Sequence, residues 1–463
     1  MSYKIVAKQP SILWSDINEI NDRIDAKYYH CDYMVFNIKN YGEFEIKSLK
    51  QCVNFFETGV SNFNDGNIKL KRLKTSNIQN GFILYQDLTD CVVPERDKKK
   101  ILCKGDVVLT TYGTGSIGKV AYVNFDTQII PDYTIAILRT KKTIDSGYLA
   151  SFLGSIYGKQ QIMRRVIGTS GITLVIKPHL IDIQIPIPSP EIQKYIGDKV
   201  RKAEELREEA KTLQKEIDIL LEVDMLLKEE TDKVYNIYDS KINWTNEINI
   251  EDRIDPNFYQ KKYISTIEKL GNNKVRLEKY VRITKTRYQT GNINKYIEIS
   301  SINNSFGTID EVEELRPEEI PTSAKYQVKE GDILVSLVRP TRKAISIVTK
   351  EYDNAICTGG FAVLQSKGKV PVEFLTAVLR TNFVGIQFER YCAGSTYPTI
   401  NEDDVVKVFI PMYSENQINK ITENYRRIID NIYTSKKLIQ EAKQDVEDLI
   451  EGNFDMSKVK ANS

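Results

Sequence analysis

Histidine is scarce: the 463 residues hold two, His30 and His179. Imidazole is the side chain that titrates near neutrality, so this supply argues against histidine-based acid–base catalysis, and His179 follows Pro178 in a segment that reads as a turn leading into a strand. The six cysteines (Cys31, Cys52, Cys91, Cys103, Cys357, Cys392) never fall as CxxC, which disfavours a zinc site and a disulfide framework alike. No run approaches 18 uninterrupted apolar residues, and the opening MSYKIVAKQP has no apolar core of a signal peptide. No membrane span is expected, and the chain is placed in the cytoplasm. The methylation motifs N-P-P-[YF] and D-P-P-Y are missing, and PD at Pro131 and Asp132 is not followed by the acidic-x-Lys element of a nuclease. Net charge is small too, +2 at pH 7, less basic than most DNA-binding domains.

What the chain does have is a second copy of itself. WSDINEINDRIDAKYY (Trp14 to Tyr29) recurs as WTNEINIEDRIDPNFY (Trp244 to Tyr259), an offset of 230. CKGDVVLTTY from Cys103 answers KEGDILVSLV from Lys329, and GTSGITLVIKPHLIDIQIPIPSPEIQ from Gly168 answers GSTYPTINEDDVVKVFIPMYSENQ from Gly394. So long a period describes two homologous halves rather than a solenoid. Within each half, short Val/Ile/Thr/Tyr-rich runs such as DVVLTTY, YTIAILRT, DILVSLV and GFAVLQS are punctuated by Gly, Asn, Asp and Pro, and helical patches lie among them. Two α+β domains is the economical reading.

A long charged helix is expected after each domain. In the first, Ile196, Ala203, Ala210 and Ile217 hold one heptad position and Leu206, Leu213, Leu220 and Leu227 another. In the second, Ile421, Tyr425, Ile428, Ile432, Ile439, Ala442, Val446 and Leu449 keep the same 3-4 alternation, with Ser435 the one polar member. A seam so narrow calls for a partner helix; the plainer alternative lays each helix on its own domain. Pairing would make the two antiparallel, because the chain must return, and about 30 residues would span roughly 45 Å.

One motif invites a different reading. YGTGSIGK (Tyr112 to Lys119) has the glycine spacing of a dinucleotide loop and nearly that of a P-loop. A P-loop, however, needs Ser or Thr after the lysine and then a helix, whereas Val120 follows and VAYVNF reads as a strand. The equivalent loop of the second half, VRPTRKA, has no glycine at all. What the two share is position and a supply of hydroxyls and cations: Tyr112, Thr114, Ser116 and Lys119 in one, Arg339, Thr341, Arg342 and Lys343 in the other. Arg and Lys suit guanine edges and phosphates, and Ser or Thr suits either base edges or backbone. KLKRLKTSNIQNG adds Lys71, Arg72, Lys74, Thr75, Ser76 and Asn77; its counterpart TKTRYQTGNINKY adds Lys285, Arg287, Tyr288 and Gln289. The loops before the long helices add Thr169 and Ser170, and Ser395, Thr396 and Tyr397. Charge is distributed to match. Residues 189–230 hold 8 Lys/Arg against 12 Asp/Glu and residues 413–452 hold 6 against 8, so the helical segments carry −6 and leave +8 on the rest. Basic domains suit phosphate, and an acidic helical pair suits protein.

The duplicated W-x(7,8)-D-R-I-D-x(3)-Y segment, the repeated GD[VI][VL] strand with its variable loop, the pre-helix loops, the IPIPSPEIQ and FIPMYSENQ helix entries and the heptads together resemble the specificity subunit of type I restriction-modification systems. The resemblance runs over essentially the full length. It implies an α+β fold of two homologous target recognition domains joined by two long antiparallel coiled-coil helices, with pseudo-two-fold symmetry. The expected divisions are 1–188 (first recognition domain), 189–232 (central helix), 233–412 (second recognition domain), 413–452 (C-terminal helix) and 453–463 (tail). It further implies a non-catalytic subunit that reads double-stranded DNA as a bipartite target. Its partners would be two methyltransferase subunits docked on the coiled coil, and restriction (nuclease) subunits joining through them. The chain itself would hold no cofactor, S-adenosylmethionine belonging to the methyltransferase. Two other functions remain open on the residues: a coiled-coil scaffold that ignores DNA, and a specificity factor of a related system with a different effector.

Overall fold

The G-D pair of each half makes the turn into a central strand. Gly105 and Gly331 take left-handed φ of +92° and +84°, a conformation that costs glycine nothing. The following aspartates are buried, and Asp106 accepts from Cys103 N (3.0 Å) as Asp332 accepts from Lys329 N (2.8 Å). In the first half Arg139 adds an ion pair to Asp106 at 2.8 Å.

The computed structural model describes Tyr28 and residues 44–79, 81–85, 88–168, 173–221, 255–271, 273–310 and 312–460. They fall into two units, Met1–Arg207 with Tyr433–Ser463, and Glu208–Ile432. The first contains β1 (Glu45–Ser48), β2 (Val53–Thr58), β3 (Ile68–Leu73), β4 (Ile78–Gln79), β5 (Phe82–Ile83), β6 (Thr89–Val93), β7 (Val107–Thr110), β8 (Val120–Tyr122), β9 (Ile129–Pro131), β10 (Ile135–Thr140), α1 (Ser146–Gly154), α2 (Ile156–Met163) and β11 (Gln184–Ile187). A long helix follows, α3 (Pro190–Leu220). The second contains β12 (Lys274–Arg276), β13 (Val281–Thr284), β14 (Asn294–Ile297), β15 (Ile302–Asn303), β16 (Thr308–Ile309), β17 (Glu313–Leu315), β18 (Ala324–Gln327), β19 (Ile333–Ser336), β20 (Ile345–Ile347), β21 (Ile356–Thr358), β22 (Phe361–Ser366), α4 (Val372–Leu379), α5 (Asn382–Tyr391) and β23 (Phe409–Pro411). Its long helix is α6 (Glu415–Glu451).

The sheets repeat as the sequence does. The first unit has the order β2-β10-β7-β8, with β6-β3-β9, β1-β11 and β4-β5; the second has β13-β22-β19-β20, with β17-β14-β21-β18, β12-β23 and β15-β16. Each four-stranded sheet named first is antiparallel, and each second sheet holds one parallel pair, β3 with β9 and β14 with β21. Strands β7 and β10 are apolar without alternation because both faces are covered. Val107, Leu109, Ala136 and Leu138 face the core shared with α1 and α2, while Val108, Ile135 and Ile137 face a second core under β3 and β9. The helical patch after β10, like that after β22, is two helices rather than one. Ser155 and Thr381 break them, each capping the next helix by accepting from a backbone N–H at 3.3 Å.

Each long helix gives one part to each unit. In the first unit Ile196, Val200 and Ala203 share a core with Ile439, Ala442, Val446 and Leu449, and Lys199 reaches Asp445 at 2.5 Å. In the second, Ala210, Leu213, Ile217 and Leu221 share a core with Ile421, Tyr425, Ile428 and Ile432. There Asn424 donates to Glu216 at 3.0 Å and Arg427 pairs with Glu209, so the helix segments run antiparallel. Of the two heptad columns expected on α3, Ile196, Ala203, Ala210 and Ile217 are all buried, and the leucine column is buried only in part. Leu213 is buried, while Leu206 and Leu220 are half-buried. Beside Ala203 and Ala210, the stem of Arg207 is buried as well. Leu227 lies outside the described residues. The 177–180 segment, expected as a turn, forms one helical turn, Lys177–Leu180, before β11. Among the described residues no helix is long and apolar enough to cross a membrane.

Candidate nucleic-acid interface

The glycine-rich stretch is a turn between two antiparallel strands, β7 and β8. No helix follows it, so no row of helix-terminal amides faces it as in a phosphate cradle. Thr110 holds its base: the Thr110 hydroxyl donates to Ser116 O and accepts from Lys119 N at 2.9 Å. Gly113 N donates to Thr173 O (3.0 Å), the Thr114 and Thr173 hydroxyls stand 3.3 Å apart, and Tyr112 bridges Leu174. The turn and the pre-helix loop are therefore joined; Thr169 and Ser170 themselves lie outside the described residues. Thr114 is exposed, and Tyr112, Ser116 and Lys119 are half-buried.

The second unit builds the same junction from other residues. Arg339 N donates to Pro398 O (2.8 Å), Val338 bridges Thr399, and Arg339 Nη2 donates to Thr396 O (3.1 Å). The Arg339 guanidinium lies 4.3 Å from the centre of the Tyr397 ring. Thr341, Arg342, Ser395, Thr396 and Tyr397 are exposed, and Lys343 is half-buried. A cleft of about 670 Å³ separates this junction from the Asp255–Tyr263 segment, with Asp255, Lys262, Thr341, Arg390 and Ser395 on its walls. The D-R-I-D repeat thus ends beside the loop. Its aromatic residue is gripped from below in both units: Arg164 covers the Tyr28 ring at 3.9 Å, and Arg390 covers the Phe258 ring at 3.7 Å while donating to Phe258 O.

The basic clusters are more heavily engaged than their letters suggest. Lys71 pairs with Asp90 at 2.8 Å, and Arg72 pairs with buried Asp132 at 3.2 Å over the Phe63 ring. Asp132 precedes Tyr133, an exposed aromatic that meets Tyr112 edge-on at 5.7 Å, so Arg72 is linked to the loop. Lys74, Thr75, Ser76 and Asn77 lead instead into the β4–β5 hairpin, where Phe82 lies under Arg207. Asn77 is buried, its side chain accepting from Lys74 N at 2.9 Å, a local structural task. In the second unit Lys285 pairs with Glu402 at 2.6 Å, and Tyr326 donates to the same carboxylate at 2.8 Å. Burial raises the Glu402 carboxyl, but the Lys285 and Tyr326 hydrogen bonds outweigh it and hold the group below its ordinary value. Arg287, which bridges Tyr326, is exposed, as is Gln289, while Tyr288 is half-buried. Glu402 and Tyr133 escaped the sequence reading, which sought cations and hydroxyls. The repeat could have exposed Glu402, because the matching helix-start position in the first unit is Lys177, which donates to Phe56 O.

The comparisons with known proteins fall on this ground. Residues 43–218 match the type I restriction modification DNA specificity domain. The type I restriction enzyme HindI specificity subunit of Haemophilus influenzae is 25% identical over 151 residues, 31% of this chain and 33% of that one. The match spans about a third of that relative's length. Two solved structures are similar over most of their length. The S subunit of a type I restriction-modification system from M. genitalium has 13% identity and a TM-score of 0.40, covering 90% of this chain and 97% of its own. The HsdS subunit from Thermoanaerobacter tengcongensis has 15% identity and a TM-score of 0.29, covering 89% and 97%. The resemblance drawn from the repeat motifs is the one that the family match and the curated relative also find.

Proposed function

We propose that the chain is a sequence-specificity subunit that reads a bipartite DNA target, one half-site per unit, and performs no catalysis itself. One observation carries the reading: a duplicated α+β body places, at matching registers of the same β-turn, loops of different polar chemistry. Structural duplication with divergent loop tips is the economical way to read two different half-sites, because the frame sets position while side chains at the groove set sequence. The paired helix segments, net acidic, are the surface assigned to protein partners, two methyltransferase subunits through which nuclease subunits join. S-adenosylmethionine then belongs to the methyltransferase. Helices of about 30 residues measure roughly 45 Å, longer than the ~34–36 Å between successive major grooves, and in this reading they set the gap between half-sites. Sequencing methylated bases across the source genome, with and without the chain, tests the proposal. A bipartite motif that disappears with the chain is the expected result; an unchanged methylation pattern would sink it.

A further inference from the structure

In the second unit the turn between β19 and β20 adopts a backbone shape that side-chain-bearing residues avoid, and it does so with cations. Arg339 sits at φ +48° and Lys343 at φ +61°. Hydrogen-bond register identifies their counterparts. Arg339 N donates to Pro398 O as Gly113 N donates to Thr173 O, and Ser336 N donates to Ala344 O as Thr110 N donates to Lys119 O. Gly113 therefore matches Arg339, and Gly118 matches Lys343. Both glycines are left-handed, at +96° and +85°. The first unit makes the turn with the residue suited to it; the second makes it with residues whose Cβ crowds the neighbouring carbonyl. Backbone strain of this kind persists where the side chain is needed and the surroundings enforce it.

Enforcement is visible. Buried Arg380 donates from Nη1 to Lys343 O (2.9 Å) and Ile345 O (3.1 Å), and from Nη2 to Asn304 O (2.8 Å), pinning the far end of the turn. Its counterpart 226 positions earlier is Gly154, so the first unit carries no guanidinium at that position. The near end is equally set. The Arg339 plane lies over Tyr397, whose ring is 65% exposed, and one N–H is committed to Thr396 O. Among the described residues the other donors of Arg339 have no protein acceptor. A guanidinium held flat, oriented and with donors to spare matches the paired acceptors O6 and N7 of guanine in the major groove.

Resting on the reading above, we propose that Arg339 selects a guanine in the half-site of the second unit, with Tyr397 and Arg380 as positioning residues. Four variants of the full chain, each replacing the chromosomal copy, test this by the methylated motif of the cell and by melting of the purified chain. Arg339→Gly removes strain as well as the fork. It should melt no lower than the parent, yet one guanine of one half-site should become degenerate, with discrimination falling roughly tenfold or more, and the other half-site should not change. Arg339→Lys keeps the charge and should lose the same base. Tyr397→Phe keeps the plate and should retain the guanine that Tyr397→Ala relaxes. A motif unchanged in Arg339→Gly overturns the proposal. So does a uniform loss across all sequences that Arg339→Lys rescues, since that is the signature of a phosphate contact. If the parent yields no bipartite motif, the functional reading fails together with this one; if the parent motif is intact and only the variants disagree, the guanine assignment fails alone.

Discussion

Gln161 and Gln387 perform one task in two places. Each side chain donates to and accepts from the backbone of the strand that follows: Gln161 with Gln184 O (2.8 Å) and Gln184 N (2.9 Å), Gln387 with Phe409 O and Phe409 N, both at 2.7 Å. β11 and β23 are thereby tied to α2 and α5 by amides that no apolar residue can replace. Gln161→Leu should cost about 2–4 kcal/mol, because a backbone donor and an acceptor lose their partner in a buried setting; urea unfolding measures it, and a loss under 1 kcal/mol would contradict the clamp. Glu402 supplies a pH test. Its carboxyl is held below the ordinary value of 4.5, so its contribution is present above that value and disappears as pH falls through the lower folded-state value. The difference in urea midpoint between the parent and Glu402→Gln should be constant near neutrality and shrink under acid. At this scale the sequence was only partly legible. A residue letter carries no φ, so nothing in VRPTRKA announces left-handed cations until the glycines of the other half are set beside it. Nor does TSN announce that Asn77 turns inward while Ser76 stays exposed.

Among the elements, the long helices show where periodicity informs and where it misleads. Every seam position expected on α6 from Ile421 to Leu449 is buried, Ser435 included. Large apolar residues mark that seam in the letters. On α3 the expected column Ile196, Ala203, Ala210 and Ile217 is buried throughout, whereas in the leucine column Leu213 is buried and Leu206 only half-buried, the stem of Arg207 lying over Phe82 beside it. Close packing through alanine leaves no room for growth. Ala203→Leu should therefore destabilise by about 1–3 kcal/mol, whereas Leu206→Ala, removing a half-buried side chain, should cost less than ~1 kcal/mol. Thermal melting of the two variants checks which of the two columns carries the contact at this level of the helix, since the reverse order would place it on Leu206. The strands were legible as runs but not by face, because β7 and β10 are covered on both sides and lose the alternation that would orient them.

For the whole molecule, the duplication was readable from the letters before any coordinate, since offsets of 230 and 226 recur in motif after motif. In the function proposed above, its consequence for DNA is one of length. Inserting one heptad after Leu213 and one after Tyr425, both members of the same core, adds about 10 Å of helix. That corresponds to roughly three base pairs at 3.4 Å each. The methylated motif of such a cell should widen its central gap accordingly; the original gap would refute the helices as a ruler. The partition of the chain has another consequence, for biosynthesis. The first unit takes in residues from Tyr433 onward, so a polypeptide emerging from the ribosome finishes its second body while the earlier one still waits for a missing wall. Without the residues from Tyr433 on, Ile196, Val200 and Ala203 would lose the cover of Ile439, Ala442, Val446 and Leu449, an apolar stripe open to proteolysis until that segment docks.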